Sequence, residues 1–196
     1  MRERLVAAAM ELFGRQGFKR TTVAQIEQAA GISVGSGGMY RHVRSKRELL
    51  EAGLQRQAEN GAQLISFIAE PQSLTTLPLP DRLLAVARAG LRRLDEERDV
   101  NRLLLHDLAD FPDLLEAFRR NELATVFDAL TGWLRTQASD TDVDVEAMAA
   151  VLIEAVSHYW VLTDVFGGHP FDVTEDRYLR TLARMTASAL SPAPTD

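Results

Sequence analysis

Apolar positions recur at intervals of three and four along almost the whole chain, and no stretch alternates in the manner of a β-strand. Leu5, Ala8, Ala9, Leu12 and Phe13 form the stripe of an amphipathic helix that Gly17 stops. Thr22 and Gln25 stand at capping-box spacing, which predicts a second helix from there to about Ala30, ended by Gly31. Residues 33–38 are too glycine-rich for a regular helix, and a short third helix then carries Met39, Tyr40, Arg41 and His42. Ser45 and Glu48 repeat the capping-box spacing and open a long helix running toward Ala69.

Pro71 to Pro80 reads as a linker. Asp81 is expected to cap a helix reaching about Glu97, followed by a shorter one over 100–110. Pro112 suits the first turn of a helix extending to about Gln137. After the polar connection 140–144, a helix runs from about Val145 to Phe166 and is broken by Gly167-Gly168. The last helix starts near Thr174 and stops before Ser191-Pro192, and the tail after Leu190 is expected to be mobile. The fold class is therefore all-α: an N-terminal three-helix domain followed by a larger helical domain.

Composition narrows the function. The chain contains no cysteine, which excludes structural disulfides and thiolate metal sites. The charges near Met1 leave no leader pattern, and Glu154, Ser157 and His158 interrupt the apolar run 151–162, so a soluble cytoplasmic protein without a membrane segment is expected. The net charge of −6 argues at first against nucleic acid, but its distribution reverses that. Residues 1–52 hold nine Lys/Arg against five Asp/Glu, whereas the remainder holds 13 basic and 23 acidic residues. Such asymmetry suits a nucleic-acid-binding module on an acidic body, although a solvated helix face can also give a local excess.

Three short helices, the last two joined by a glycine-containing turn, form a helix-turn-helix. In that geometry the third helix enters the major groove while helix N-termini and hydroxyls hold phosphates. Thr22 offers a hydroxyl where a helix start favours an anion, Tyr40 and His42 can donate to phosphates, and Lys46 places a cation at a helix N-terminus. Each has a plainer reading: Thr22 as a cap, Tyr40 as a ring packed on the first helix, Lys46 as a solvated charge.

Leu5 to Leu50 strongly resembles the DNA-binding domain of TetR/AcrR-type regulators. Ala7-Ala8, Leu12-Phe13, Gly17-Phe18, Thr21-Thr22-Val23, Ile26, Ala30-Gly31-Ile32-Ser33, Tyr40-Arg41-His42 and Ser45-Lys46 carry the likeness. The remainder is similar to the family's effector domain in length and layout only. The resemblance implies phosphate contacts by Thr22, Tyr40, His42 and Lys46, and a base-reading surface within Ser33 to Arg41. It also implies a domain division at 1–50 and 51–196, bridged by the helix over 45–69. In the family pattern the step from the serine to the tyrosine is five residues; here Ser33 to Tyr40 is seven. Two residues inserted within a helix would turn its downstream face by roughly 200°, so the turn is expected to absorb them through Gly35, Gly37 and Gly38. Ser36, Met39 and Arg41 are the expected groove contacts.

The resemblance further implies a ligand-responsive homodimeric repressor acting on a palindromic operator in double-stranded DNA, with a small-molecule effector and no cofactor. The expected dimer residues lie on the two long C-terminal stripes: Phe118, Val126, Leu130, Val151, Leu152, Ala155, Tyr159 and Leu162. The plainer reading is that both stripes fill the monomer core. Candidate effector contacts are Phe67, Arg102, His106, Phe127, Trp133, Tyr159, Trp160 and Thr163. The competing function is a helical ligand-binding or scaffolding protein whose helix-turn-helix has degenerated. Enzymatic chemistry finds no constellation. Glu154 and His158 are four apart and read as a helix hydrogen bond, and 140–144 imitates a calcium loop but has Val145 and Val151 where glycine and glutamate belong.

Overall fold

The computed structural model describes residues 1–33, 37–69, 76–138 and 142–191, and every regular element among them is helical. The first half of the expected 71–80 linker, the start of the polar connection at 140–144 and the tail from 192 lie outside the described residues. The chain forms two compact units that do not follow chain order: residues 1–61 with 97–122, and residues 62–96 with 123–196.

The first unit contains α1 (Arg2–Gln16), α2 (Val23–Ala29), a 3-10 turn (Met39–Arg41) and the beginning of α3 (Lys46–Ala69). It also contains α5 (Arg98–His106), a second 3-10 turn (Leu108–Asp110), α6 (Pro112–Phe118) and most of a π turn over 119–123. The stripe of α1 is buried as its spacing dictates: Leu5, Ala8, Ala9 and Phe13 meet Ile26, Leu49, Leu50 and Leu103 in one core. Fully burying a leucine or phenylalanine side chain contributes about 1.5–3 kcal/mol, so this core holds the small helices in place. Gly14 lets α1 and α5 touch, since a Cβ there would lie 2.5 Å from the Asp99 Cα.

Caps end the short helices where the sequence signals them. Thr22 Oγ1 accepts from the Gln25 N–H at 3.2 Å and Gln25 Oε1 accepts from the Thr22 N–H at 2.8 Å, the reciprocal capping box. Gly31, at φ +70°, closes α2 as a Schellman motif, with Gly31 N–H bonded to Gln28 O and Ile32 N–H to Glu27 O. Ser45 Oγ accepts from the Glu48 N–H, while the Glu48 carboxylate reaches back to the Arg44 N–H at 2.7 Å.

The second unit is built from the end of α3 with α4 (Leu79–Glu96), α7 (Ala124–Gln137), α8 (Val145–Phe166) and α9 (Glu175–Leu190). α4 packs on α8 and α9, and α7 packs on α8. The core centres on Leu83, Ala87, Leu91, Trp133, Leu134, Leu152, Val156, Trp160 and Leu179. α8 is long and apolar enough to cross a membrane by length and composition. One face, Ala149, Leu152, Val156, Tyr159 and Trp160, is nevertheless packed into this core.

Three expectations need correction. α4 starts at Leu79 rather than behind an Asp81 cap, because Pro80 needs no hydrogen bond in a first turn and Asp81 N–H bonds to Pro78 O. The helix expected over 112–137 is divided by the π turn. That over 100–110 becomes α5 plus a 3-10 turn.

Asp144 Oδ1 accepts from the Ala147 N–H at 2.9 Å and so caps α8. Replacing it with alanine is expected to cost about 1 kcal/mol, which thermal unfolding would register as a midpoint lower by about 2–4 °C. An unchanged midpoint would mean that the cap contributes nothing.

Candidate nucleic-acid interface

The site grows from the turn between α1 and α2. Thr21 is buried, and its Oγ1 donates to Gly17 O at 2.8 Å, tying the residue after α1 to the residue before the next cap. Phe18 stacks its ring against Phe13 and Phe111 with centroids 4.9 and 4.8 Å apart. From the first turn of α3, Lys46 Nζ reaches back across this turn and donates to Phe18 O at 2.7 Å and Thr21 O at 2.6 Å. It lies 4.4 Å from the Phe18 ring centroid, a cation–π contact. Burial pushes this ammonium below the usual lysine range. Lys46 is thus neither a free surface charge nor an unsupported one. Two carbonyls aim it beside exposed Thr22, at the N-terminus of α2.

Among the described residues, the element that follows α2 is the 3-10 turn Met39–Arg41. Tyr40 N–H bonds to Gly37 O at 3.1 Å, and His42 and Val43 N–H both bond to Met39 O, at 2.9 and 3.1 Å. Gly37 adopts φ +65°, a left-handed conformation that suits glycine. Glu27, 2 % exposed, aims its Oε1 at the Met39 N–H, 2.9 Å away, and anchors the start of the turn to α2. This clamp was not among the expected site residues. Its signal in the sequence is a carboxylate on the apolar side of a short helix, one position after core Ile26.

Tyr40 is 58 % exposed, so its ring does not pack on α1, and Arg41 and His42 are exposed beside it. Ser33 is exposed at the end of the preceding turn. Met39 must be withdrawn as a groove contact. It is fully buried in the core with Val43, because a turn carrying exposed Tyr40, Arg41 and His42 needs an inward anchor. Ser36 and Gly35 lie outside the described residues.

Charge completes the picture. Several cations of the first unit are already answered: Lys19 by Asp110 at 2.7 Å, Arg15 by Glu11 at 2.9 Å, and Arg47 by Glu51 and Asp113. Among the described residues Arg20, Arg41, Arg44 and Lys46 have no ion-pair partner, and these flank Thr22 and the 3-10 turn. Arg44, which sequence reasoning passed over, lines a shallow depression with Ser45 and Arg47 at the start of α3. The arrangement offers unneutralised cations, an exposed phenol and a helix N-terminus, which is what a polyanionic backbone binds.

The residues expected to bind an effector divide between the units. Trp133, Tyr159 and Trp160 are buried in the core of the second unit, with Phe67 and Phe127 packed against it and Thr163 half-buried on α8. Arg102 and His106, expected with them, belong instead to the first unit on α5, whose Val100 and Leu103 face its core; His106 is exposed. The dimer set also needs correction. Leu130, Leu152 and Tyr159 are buried within their own unit, and Phe118 packs on the first unit's core. Tyr159 is occupied by its own neighbours, stacked on His169 at 4.9 Å and donating to Val173 O at 3.2 Å. Val126, Ala155 and Leu162 are half-buried, and Val151 is exposed.

Comparison with known proteins points the same way as the geometry. Residues 5–52 match the family of bacterial regulatory proteins described as the tetR family. Over 177 residues the chain is 27 % identical to the probable HTH-type transcriptional regulator ArpR of Pseudomonas putida, covering 82 % of this chain and 80 % of that protein. It is 25 % identical, with the same coverage, to the HTH-type transcriptional regulator TtgR of Pseudomonas putida. The reduced form of Escherichia coli NemR has a similar fold, with a TM-score of 0.70 over 99 % of both chains at 18 % identity. So does a TetR-family regulator from Mesorhizobium loti, with a TM-score of 0.69 over 96 % of this chain and 94 % of that one at 19 % identity.

Proposed function

We propose that this chain is a TetR/AcrR-type transcriptional regulator, DNA-binding and ligand-responsive, which represses from a palindromic operator as a homodimer in the cytoplasm. Residues 1–50 bind DNA in this reading, and residues 51–196 carry the effector and dimer functions. The observation that supports it best is the 3-10 turn. Met39 is buried, and Tyr40, Arg41 and His42 stand out from it beside Arg20, Arg44 and Lys46, which have no ion-pair partner among the described residues. Thr22, Tyr40, His42 and Lys46 hold phosphates, and Ser33 and Arg41 face the groove. The 3-10 turn at Met39–Arg41 offers few exposed side chains to base edges. Much of the affinity then comes from phosphates and falls steeply with salt.

One helix-turn-helix per chain favours a symmetric dimer, because two half-sites multiply affinity and select spacing. The face of α8 turned away from its own core is the surface that favours self-association. Val151 is 58 % exposed, Val165 66 % and Phe166 65 %, with Leu162 half-buried among them. An apolar stripe on a helix gains by meeting its own copy. Val151→Glu leaves the monomer core untouched and places a charge on that stripe. Sedimentation should then show dimer giving way to monomer with helicity unchanged; a dimer as tight as the parent would remove this face from the interface.

Titrating fluorescent random duplex with the full chain at several salt concentrations tests the DNA-binding assignment. The expected result is a strongly negative dependence of log affinity on log salt. Affinity indifferent to salt would overturn it.

A further inference from the structure

The core of the second unit holds polar atoms that its own fold leaves unsatisfied. Trp133 on α7 is 5 % exposed, and its indole Nε1–H is buried without an acceptor. The Nε–H of half-buried Arg82, on α4, is likewise buried and unpaired. The two belong to one patch. Arg82 donates through Nη1 to Oε1 of Gln137, and Gln137 lies one turn beyond Trp133 on the same face of α7. Among the described residues Arg82 has no carboxylate partner; the neutral Gln137 amide is its hydrogen-bonding neighbour.

Both features call for the same complement. A buried donor gives up its water and ordinarily finds an acceptor in exchange. A half-buried guanidinium gains from a counter-charge as well as from a hydrogen bond. Among the described residues the surroundings supply neither. Leu83 and Leu84 flank Arg82 on its own helix, and Leu130, Leu134 and Phe127 accompany Trp133 on α7. A carboxylate has two oxygens, one for Arg82 Nε–H and one for Trp133 Nε1–H, and carries the charge that the arginine lacks. The leucines and Phe127 suit an apolar body behind that head group.

We propose that Arg82 and Trp133 bind the head group of an amphipathic carboxylate, and that molecules of this class are the effectors of the regulator. The inference rests on the ligand-responsive reading above and gives that ligand its chemistry. An alcohol of the same length would bury its tail equally well and leave the arginine without its counter-ion. Recognition therefore lies in the preference for acid over alcohol.

The test is calorimetric titration of the full chain with octanoate, decanoate, dodecanoate and 4-phenylbutyrate, each against its corresponding alcohol, with tryptophan emission followed in parallel. At least one acid should bind ten times or more tightly than its alcohol and shift the emission. Arg82→Met should erase that preference without weakening the alcohol. Trp133→Phe keeps the bulk of a ring but deletes the donor. It should weaken the acid about fivefold while leaving the melting point no lower than the parent's. No acid preferred over its alcohol, or a preference that survives Arg82→Met, would overturn the proposal. Operator affinity measured with the bound acid keeps the two readings apart. Binding with the predicted variant pattern but no change in DNA affinity leaves the site standing and removes its effector role. Operator release by other compounds, with no acid bound, removes the site and leaves the regulator intact.

Discussion

Gly14→Ala is expected to destabilise the first unit by about 2 kcal/mol, against the direction that helix propensity alone would set. Alanine is favoured over glycine inside a helix by about 1 kcal/mol, and Gly14 lies within α1. The added Cβ would meet the Asp99 Cα at 2.5 Å and its carbonyl oxygen at 2.6 Å. Those are backbone atoms, so no rotamer relieves the clash, and α1 and α5 must separate. Overpacking of this kind costs about 1–3 kcal/mol before the strain spreads. Here it spreads through a contact that presses Leu103 into the core with Leu5 and Phe13. Gly132→Ala supplies the contrast, because a Cβ at Gly132 on α7 meets nothing within 4 Å. It should stabilise by up to about 1 kcal/mol. Chemical denaturation of both variants should move in opposite directions; a stabilised Gly14→Ala would refute the close α1–α5 contact.

Lys46→Met should lower DNA affinity about tenfold for operator and random duplex alike, and reduce the salt slope by about one counter-ion. It should also cost about 1–2 kcal/mol of stability. The lower end of the usual range for hydrogen bonds to a charged group applies, because the ammonium is only partly withdrawn from water. The two effects share one origin. The amine holds Phe18 O and Thr21 O together, and those carbonyls fix the turn that presents the Thr22 cap. Tyr40→Phe separates them. Its ring is exposed, so stability should be unchanged while affinity falls by a few fold. Fluorescence anisotropy at several salt concentrations measures affinity and salt slope, and chemical denaturation measures stability. Full affinity in Lys46→Met would show that the amine serves the turn alone.

Much of the first unit was legible because its punctuation is local. The pairs Thr22–Gln25 and Ser45–Glu48 and the stop at Gly31 each mark an end that short-range hydrogen bonds realise. Met39 was legible in principle and misread. It stands four residues from Val43, a core spacing, around three polar residues that share the exposed side. Other features depend on distant chain. Nothing near Asp99, Asp110 or Asp113 announces that they meet Gly14, Lys19 and Arg47, so the membership of 97–122 in the first unit is a tertiary fact. On α8 the sequence is apolar on nearly all sides, so periodicity could not separate buried Leu152 and Tyr159 from exposed Val151. Arg82 reads in sequence as an ordinary cation on an amphipathic helix. Only packing shows that its Nε–H is buried without an acceptor while its Nη1 bonds to Gln137, one turn beyond Trp133.

The central claim is that this chain reads DNA through the turn bearing Tyr40, Arg41 and His42, with Lys46 behind the cap that flanks it. Capture of sheared genomic DNA from the source organism, by the full chain and by the Lys46→Met, Tyr40→Phe double variant, tests it most directly. The account predicts that the parent enriches one or a few palindromic sites and that the double variant loses them. No enrichment by the parent, or equal enrichment by the variant, would contradict it.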